Sequence, residues 1–156
     1  MRVLVWSGLV LILDQLTKQI IRVNLDLYES IRVIGDNILI THIENPGIAF
    51  GINIQGGSLL FMIASLLATA LIFLYLWRWR NASLLIRVSL ALILGGAFGN
   101  LTDRFIFGKV VDFIQIGAGG WYWPVFNVAD SAVTIGMILF LYLSFFRQNR
   151  DAPELA

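Results

Sequence analysis

The sequence predicts an α-helical membrane protein with four transmembrane helices and a small extracytoplasmic β-sheet, a cradle, between helices 1 and 2. Of its 156 residues, 58% are hydrophobic and 13% are charged, against about 45–50% and about 25% in soluble domains. The net charge of +1 and the aromatic content of 13% exclude a disordered chain. The apolar stretches run continuously, which argues against a β-barrel with alternating polar and apolar residues.

Four apolar stretches are long enough to cross a bilayer, which takes about 20 residues. They predict helices at about 3–23, 58–77, 84–104 and 129–146. The first stretch has the position of a signal peptide, but Asp14, Lys18 and Arg22 follow its apolar core where a small-residue cleavage site would be needed. We therefore expect it to remain as helix 1 of a single domain that spans 1–156.

The cations indicate how the helices are oriented. Four spans place both termini on one side, and six of the eleven cations fall on that side: Arg2, Arg78, Arg80, Arg87, Arg147 and Arg150. The positive-inside rule makes this side cytoplasmic. The two long connections, 24–57 and 105–128, then lie on the outer side.

Both outer connections carry structural signals. The first contains IRVI and ILITHI on either side of Gly35-Asp36-Asn37, a pattern that predicts two short strands joined by a turn. The second contains GAGGWYWP, whose aromatic residues suit the interface between membrane and water. We expect a small sheet lying on the outer membrane surface.

Polar residues at membrane depth are costly, so each is a candidate for function. Asp14 and Lys18 are four residues apart on helix 1, a spacing that favours an internal ion pair holding the helix packing. Gly95 and Gly99 form a small-xxx-small pair that allows another helix to approach closely. Beyond them, a polar cluster shares one face of helix 3: Asn100, Asp103 and Arg104.

Asp112 and Asp130 flank the second outer connection. Each has a structural interpretation by itself: Asp130 as an acid capping the last helix, with Asn127 one turn earlier, and Asp112 as an interfacial charge paired with Lys109. Together they suggest a catalytic pair, because two close carboxylates in apolar surroundings share one proton and can activate a water molecule.

No competing catalytic group is evident in the sequence. The motifs HExxH and GxSxG are absent, and so are cysteines. The single histidine, His42, falls in a predicted strand, where we expect a surface residue. Neither a metal nor a cofactor is expected.

Four blocks together resemble one family, the lipoprotein signal peptidases (signal peptidase II) of bacterial inner membranes. They are DQLTK, THIENPGIAFG, GGAFGNLTDRF leading to VVDF, and WPVFNVADS, and they extend from Asp14 to Ser131. The resemblance implies an aspartic endopeptidase that cuts prolipoproteins just before a diacylglyceryl-modified cysteine. It also implies four helices with a small outer sheet, and a site at the outer face of the membrane.

The resemblance also implies roles for individual residues. The catalytic pair corresponds to Asp112 and Asp130. Positions that line the substrate site are Asn45, Asn100, Arg104 and Asn127, and positions that hold the architecture are Asp14, Lys18 and Asp103. The expected partners are lipidated prolipoproteins and membrane lipid, with no nucleic acid; the sequence does not predict an oligomeric state.

Two alternatives come from other classes of protein. A small four-helix transporter would use membrane carboxylates to couple cations or protons, but it would place its acid in the middle of a helix. A non-catalytic assembly factor would use Gly95 and Gly99 to pack onto a partner. Neither alternative explains why the polar residues gather at one rim of the membrane.

Overall fold

The computed structural model describes the backbone of residues 2–47 and 57–148 and the side chains of 2–47 and 59–145. The elements in chain order are α1 (Leu4–Asn24), β1 (Ser30–Ile34), β2 (Ile38–Asn45), α2 (Gly57–Arg78), α3 (Leu84–Phe107), β3 (Val110–Ala118), β4 (Trp121–Tyr122) and α4 (Val128–Gln148). All four helices are long and apolar enough to cross a membrane, with mean hydropathies from 1.3 to 2.5. Residues 48–51 of THIENPGIAFG, Arg150 and the side chain of Arg147 lie outside the described residues.

Helix α3 lies at the centre of the bundle and packs against the other three helices. Its glycines make this possible: a methyl group at Gly95 would lie 2.8 Å from the backbone oxygen of Ser7 in α1, and one at Gly96 would clash with the backbone oxygen of Ala129 in α4. The close approach predicted from the small-xxx-small pair is therefore confirmed. Gly95 and Gly99 pack inside the protein, which removes the observation behind the assembly-factor alternative.

Gly99→Ala is expected to destabilise the protein by about 1–3 kcal/mol, the usual range for overpacking. The added methyl group would lie 2.5 Å from Oδ2 of Asp14 and 3.2 Å from Cβ of Ala129. The matched control is Gly8→Ala in α1, where an added methyl group would have no atom within 4 Å. Alanine should raise the free energy of unfolding there by up to about 1 kcal/mol, because its helix propensity exceeds that of glycine. Thermal unfolding in detergent measures both variants, and equal unfolding temperatures would contradict the expectation.

The sheet is four-stranded and antiparallel, in the order β1-β2-β3-β4. The two strands and the turn predicted in the first connection are confirmed, but the sheet is not confined to that connection. The second connection adds β3 and β4, because the apolar run VVDFI pairs with β2 as a strand. In this register Ile43 faces Asp112 and Asn45 faces Val110, so β3 brings Asp112 next to Asn45.

His42 is buried rather than on the surface, with 6% of its area exposed. Its Nδ1 lies 3.0 Å from the backbone oxygen of Leu25, just after α1. The pairing of β2 with β3 shifts register between Ile40 and Ile43, and both residues in between are buried. The surface prediction is wrong because strand alternation does not hold across this irregularity.

Candidate active site

Asp112 is buried in β3, with 5% of its area exposed. Its Oδ1 accepts a hydrogen bond from Nδ2 of Asn127 at 2.7 Å, and its Oδ2 accepts one from Nδ2 of Asn45 at 3.3 Å. Burial and, next, the negative charge of Asp130 raise the pKa of Asp112 to about 6. The suggested pairing of Asp112 with Lys109 is wrong, because the Lys109 ammonium contacts Glu44 instead.

Asp130 lies in the first turn of α4, as its structural interpretation predicts. The backbone N–H of Asp130 donates to Oδ1 of Asn127 at 2.9 Å, and the backbone N–H of Asn127 donates to Oδ2 of Asp130 at 3.2 Å. This reciprocal pair is a capping box, which satisfies two N–H groups at the helix start. It also holds the Asp130 carboxylate in a defined position, with Oδ1 directed away from the cap.

Two asparagines connect the carboxyl groups. Nδ2 of Asn100 in α3 donates to Oδ1 of Asp130 at 2.7 Å. The fully buried Asn127 directs its Nδ2 toward both Oδ1 of Asp112 and Oδ1 of Asn100, the latter at 3.2 Å. A continuous set of amides therefore links Asp112, on the sheet, to Asp130, on a helix.

A buried ion cluster lies beside these amides. Nζ of Lys18 contacts Oδ2 of Asp14 at 2.8 Å, Oδ2 of Asp103 at 3.1 Å and Oδ1 of Asn100 at 3.0 Å. The side chains of Lys18, Asp14 and Asp103 are 0% exposed. The predicted pair of Asp14 and Lys18 is present, and the structure adds Asp103 to it. Lys18 thus joins two acids to the amide that contacts Asp130.

Asp14 reaches from α1 to the start of α4. Its Oδ1 accepts the backbone N–H of Ala129 at 2.9 Å, although the two residues are 115 positions apart. A carboxylate at a helix N-terminus is favourable, because the helix dipole and the free N–H groups both attract negative charge. Asp14 therefore helps to fix the turn of α4 that carries Asp130.

Two further residues belong to this cluster and are absent from the sequence predictions. Gln15 donates from Nε2 to the backbone oxygen of Gly99 at 3.1 Å and to Oδ1 of Asp103 at 3.2 Å. Arg22 contacts Oδ1 of Asp103 at 2.9 Å and stacks 4.1 Å from the ring centre of Phe107. The signal for Arg22 is its spacing, since it follows Lys18 by four residues on the same helix face.

Arg104 lies in the last turn of α3. Its guanidinium interacts electrostatically with three carboxyl groups, those of Asp130, Asp112 and Asp103. Its Nη1 reaches the backbone oxygen of Asn100 at 3.5 Å, and its Nε is buried without a hydrogen-bond partner among the described residues. This arginine therefore has donor capacity left over beside the carboxyl pair.

The structure brings together all nine residues singled out from the sequence at one end of the bundle. Two carboxyl groups linked through amides, next to an arginine, are an arrangement consistent with the class of membrane peptidases that use paired aspartates. Residues 6–146 of the chain match a protein-family model described as "Signal peptidase (SPase) II". The chain belongs to this signal peptidase II family.

Individual relatives and solved structures agree with this assignment. A lipoprotein signal peptidase of Syntrophus aciditrophicus is 42% identical over 95% of this chain and 94% of its own length, and one of Pseudomonas aeruginosa is 38% identical over 92% and 86%. A solved bacterial membrane enzyme matches with a TM-score of 0.83 at 32% identity, covering 99% of this chain and 94% of its own. A second matches with a TM-score of 0.77 at 34% identity, covering 90% of each chain.

The family assignment makes this protein a peptidase of prolipoprotein processing. This assignment does not favour the transporter alternative. The positions of the two candidate catalytic acids are consistent with a peptidase, since Asp130 lies at the start of α4 and Asp112 lies on a strand outside the helices. Asp14 does lie in the middle of α1, but its ion pair with Lys18 neutralises it within the protein.

Proposed function

We propose that Asp112 and Asp130 together hydrolyse the peptide bond just before the diacylglyceryl-modified cysteine of a prolipoprotein. The observation that carries this proposal is the bridge of amides from Asn127 and Asn100, which holds the two carboxyl groups in one cluster. The raised pKa of Asp112, caused by its burial and then by the charge of Asp130, supports a pair that holds one proton.

In this mechanism the ionised Asp130 takes a proton from a water molecule, whose oxygen attacks the carbonyl carbon of the scissile bond. Asp112, protonated, donates a hydrogen bond to the carbonyl oxygen as negative charge develops there. The tetrahedral intermediate then collapses, the C–N bond breaks, and the proton taken by Asp130 passes to the leaving amine. The capping box supports this role by preventing the Asp130 carboxylate from rotating away.

The remaining polar residues suit the binding of an extended peptide. Asn45 donates to Asp112 and accepts the backbone N–H of Gly47 at 2.9 Å, which holds its side chain in the turn that follows β2. Arg104 has a buried Nε available for a carbonyl or carboxylate oxygen. We assign Asp14, Lys18 and Asp103 to the architecture that positions these groups.

We further propose that the active site lies at the outer face of a bacterial inner membrane, that both termini are cytoplasmic, and that 1–156 form one domain. Trp121 and Trp123 support a place for the sheet at a membrane interface, since they are 65% and 58% exposed and pack edge to face with ring centres 6.0 Å apart. Arg78, in the last turn of α2, lies at the opposite end of the bundle and supports a cytoplasmic position for that end by the positive-inside rule. Lipidated prolipoproteins and membrane lipid are the proposed partners.

The pH dependence of kcat/KM tests the protonation of the pair. Below its raised pKa of about 6, Asp112 holds its proton, and as pH rises through that value the proton is lost. We therefore expect kcat/KM to fall on the alkaline side of about pH 6. Asn45→Ala removes a hydrogen bond that favours the ionised form of Asp112, so it should move the decline to higher pH. A decline that is absent, or that Asn45→Ala leaves in place, would argue against Asp112 as the proton carrier.

The proposed substrate is tested by two precursors with the same peptide sequence. The purified protein should cleave the precursor that carries a diacylglyceryl cysteine and leave its unlipidated form intact. Mass spectrometry of the products locates the cleaved bond, which we expect immediately before the modified cysteine. Equal cleavage of both precursors would refute the requirement for lipid, and cleavage of neither would refute the proposed function.

A further inference from the structure

A groove beside Asp130 has no part in the chemistry described so far. It has a volume of about 390 Å³ and is lined by Trp123, Phe126, Asp130, Ser131, Thr134 and Ile135. We call it the α4 groove. We propose that the α4 groove binds one acyl chain of the substrate's diacylglyceryl group, an inference that rests on the proposed function.

The position of the groove ties its occupant to the substrate. Asp130 forms part of the wall, so any group lying in the groove is next to the carboxylate that activates water. The volume falls within the range of about 300–1,000 Å³ typical of sites for small organic groups. The cysteine that carries the lipid is adjacent to the cleaved bond, so its acyl chains begin close to this wall.

The chemistry of the lining favours a hydrocarbon chain over a peptide. A peptide segment needs a partner for each backbone N–H and C=O group that it buries. The Ser131 hydroxyl already donates to the backbone oxygen of Asn127 at 2.9 Å, and the carboxylate of Asp130 can accept from an N–H group but can donate to no C=O group. The rings of Trp123 and Phe126 and the side chain of Ile135 offer apolar contact, which an acyl chain requires.

The direction of the groove also fits a lipid. From Asp130 to Ile135 it follows α4 for five residues, about 7.5 Å at the helical rise per residue. One turn further along the same face, Ile138 is 64% exposed and faces the surroundings of the bundle. In a bilayer this face contacts lipid, so a chain that leaves the groove continues among other acyl chains and never has to cross water.

Ile135→Trp tests the proposal by filling the groove with a larger side chain. Met137→Trp is the matched control, because Ile135 and Met137 are both exposed on α4, at 58% and 49%, and Met137 does not line the groove. Met137 lies about 200° from Ile135 around the helix, so it faces away from the proposed path of the chain. Each protein is assayed in the same detergent with two precursors that differ only in their lipid, a dipalmitoyl and a dibutanoyl form. Because the longer chain makes more apolar contact with the wall of the groove, we expect Ile135→Trp to lower kcat/KM for the dipalmitoyl form about tenfold and for the dibutanoyl form less than about twofold.

The control should leave kcat/KM for both precursors within about twofold of the values for the unsubstituted protein. Because all proteins are assayed in the same detergent, an effect of the detergent on either precursor would appear in the control as well. An equal loss for both precursors would overturn the proposal in favour of a peptide in the groove, and no loss for either would show that the groove is not used. If Ile135→Trp unfolds at a lower temperature, Thr134→Leu replaces it with the same expected selectivity. The proposed function fails separately, if the unsubstituted protein cleaves neither precursor.

Discussion

Asp112→Asn and Asp130→Asn are each expected to abolish cleavage of a lipidated precursor, lowering kcat by at least about 10³-fold, as loss of an essential catalytic group does in other proteases. Asparagine has nearly the size of aspartate but can neither take a proton from water nor hold the proton that polarises the carbonyl. The single amide oxygen of asparagine can still accept the contact from Asn127, at position 112 from its Nδ2 and at position 130 from its backbone N–H. Each variant therefore loses one hydrogen bond, from Asn45 or from Asn100, and keeps the other. The fold should therefore survive both substitutions.

The control for these variants is Asp36→Asn. Asp36 pairs with Arg32 at the protein surface, where the side chains are 74% and 75% exposed. Such a pair contributes about 0–1 kcal/mol, so neither stability nor activity should change measurably. Cleavage assays and thermal unfolding in the same detergent separate loss of chemistry from loss of fold. Full cleavage by either active-site variant would disprove the catalytic pair.

Lys18→Met is expected to give the largest loss of stability, about 3–5 kcal/mol in the free energy of unfolding. The substitution removes the one cation that contacts Asp14 and Asp103 together, and all three side chains are fully buried. Asp103 would retain Arg22, but Asp14 would be left without an ion-pair partner among the described residues. Because Asp14 holds the first turn of α4, we expect activity to fall along with stability.

The matched control is Lys109→Met, which removes a lysine whose ion pair with Glu44 is partly exposed, at 43% and 23%. This change should lower stability by no more than about 1 kcal/mol. Thermal unfolding in detergent, measured alongside cleavage, distinguishes the two roles of Lys18. Normal stability of Lys18→Met without activity would place Lys18 in the catalytic machinery and not in the architecture.

Local patterns account for what the sequence predicted well. Each helix is a continuous run of apolar residues, and a run of that length is helical in a bilayer whatever its neighbours, because every backbone group must be satisfied within the segment. The ion pair of Asp14 and Lys18 follows from a spacing of four residues on one helix. The capping role of Asp130 follows from its position at the start of α4.

Other features depend on segments that are distant along the chain. Strand β3 is stable because β2 pairs with it, and its apolar run carries no regular alternation that would reveal a strand. The burial of His42 depends on an irregularity in the same pairing and on the end of α1. Sequence reasoning missed both, since neither follows from the residues next to them.

The scarcity of charge, the four helices and the identity of the candidate acids can all be recognised in the amino-acid sequence, because they are properties of short segments. The arrangement of those acids cannot be recognised there. Asp112 meets Asn127 across 15 residues, Lys18 meets Asn100 across 82, and Asp14 meets Ala129 across 115. These contacts form because the glycines of α3 let three helices approach closely and because the sheet joins both outer connections. Packing of this kind sets the distances within the site, and no local pattern encodes it.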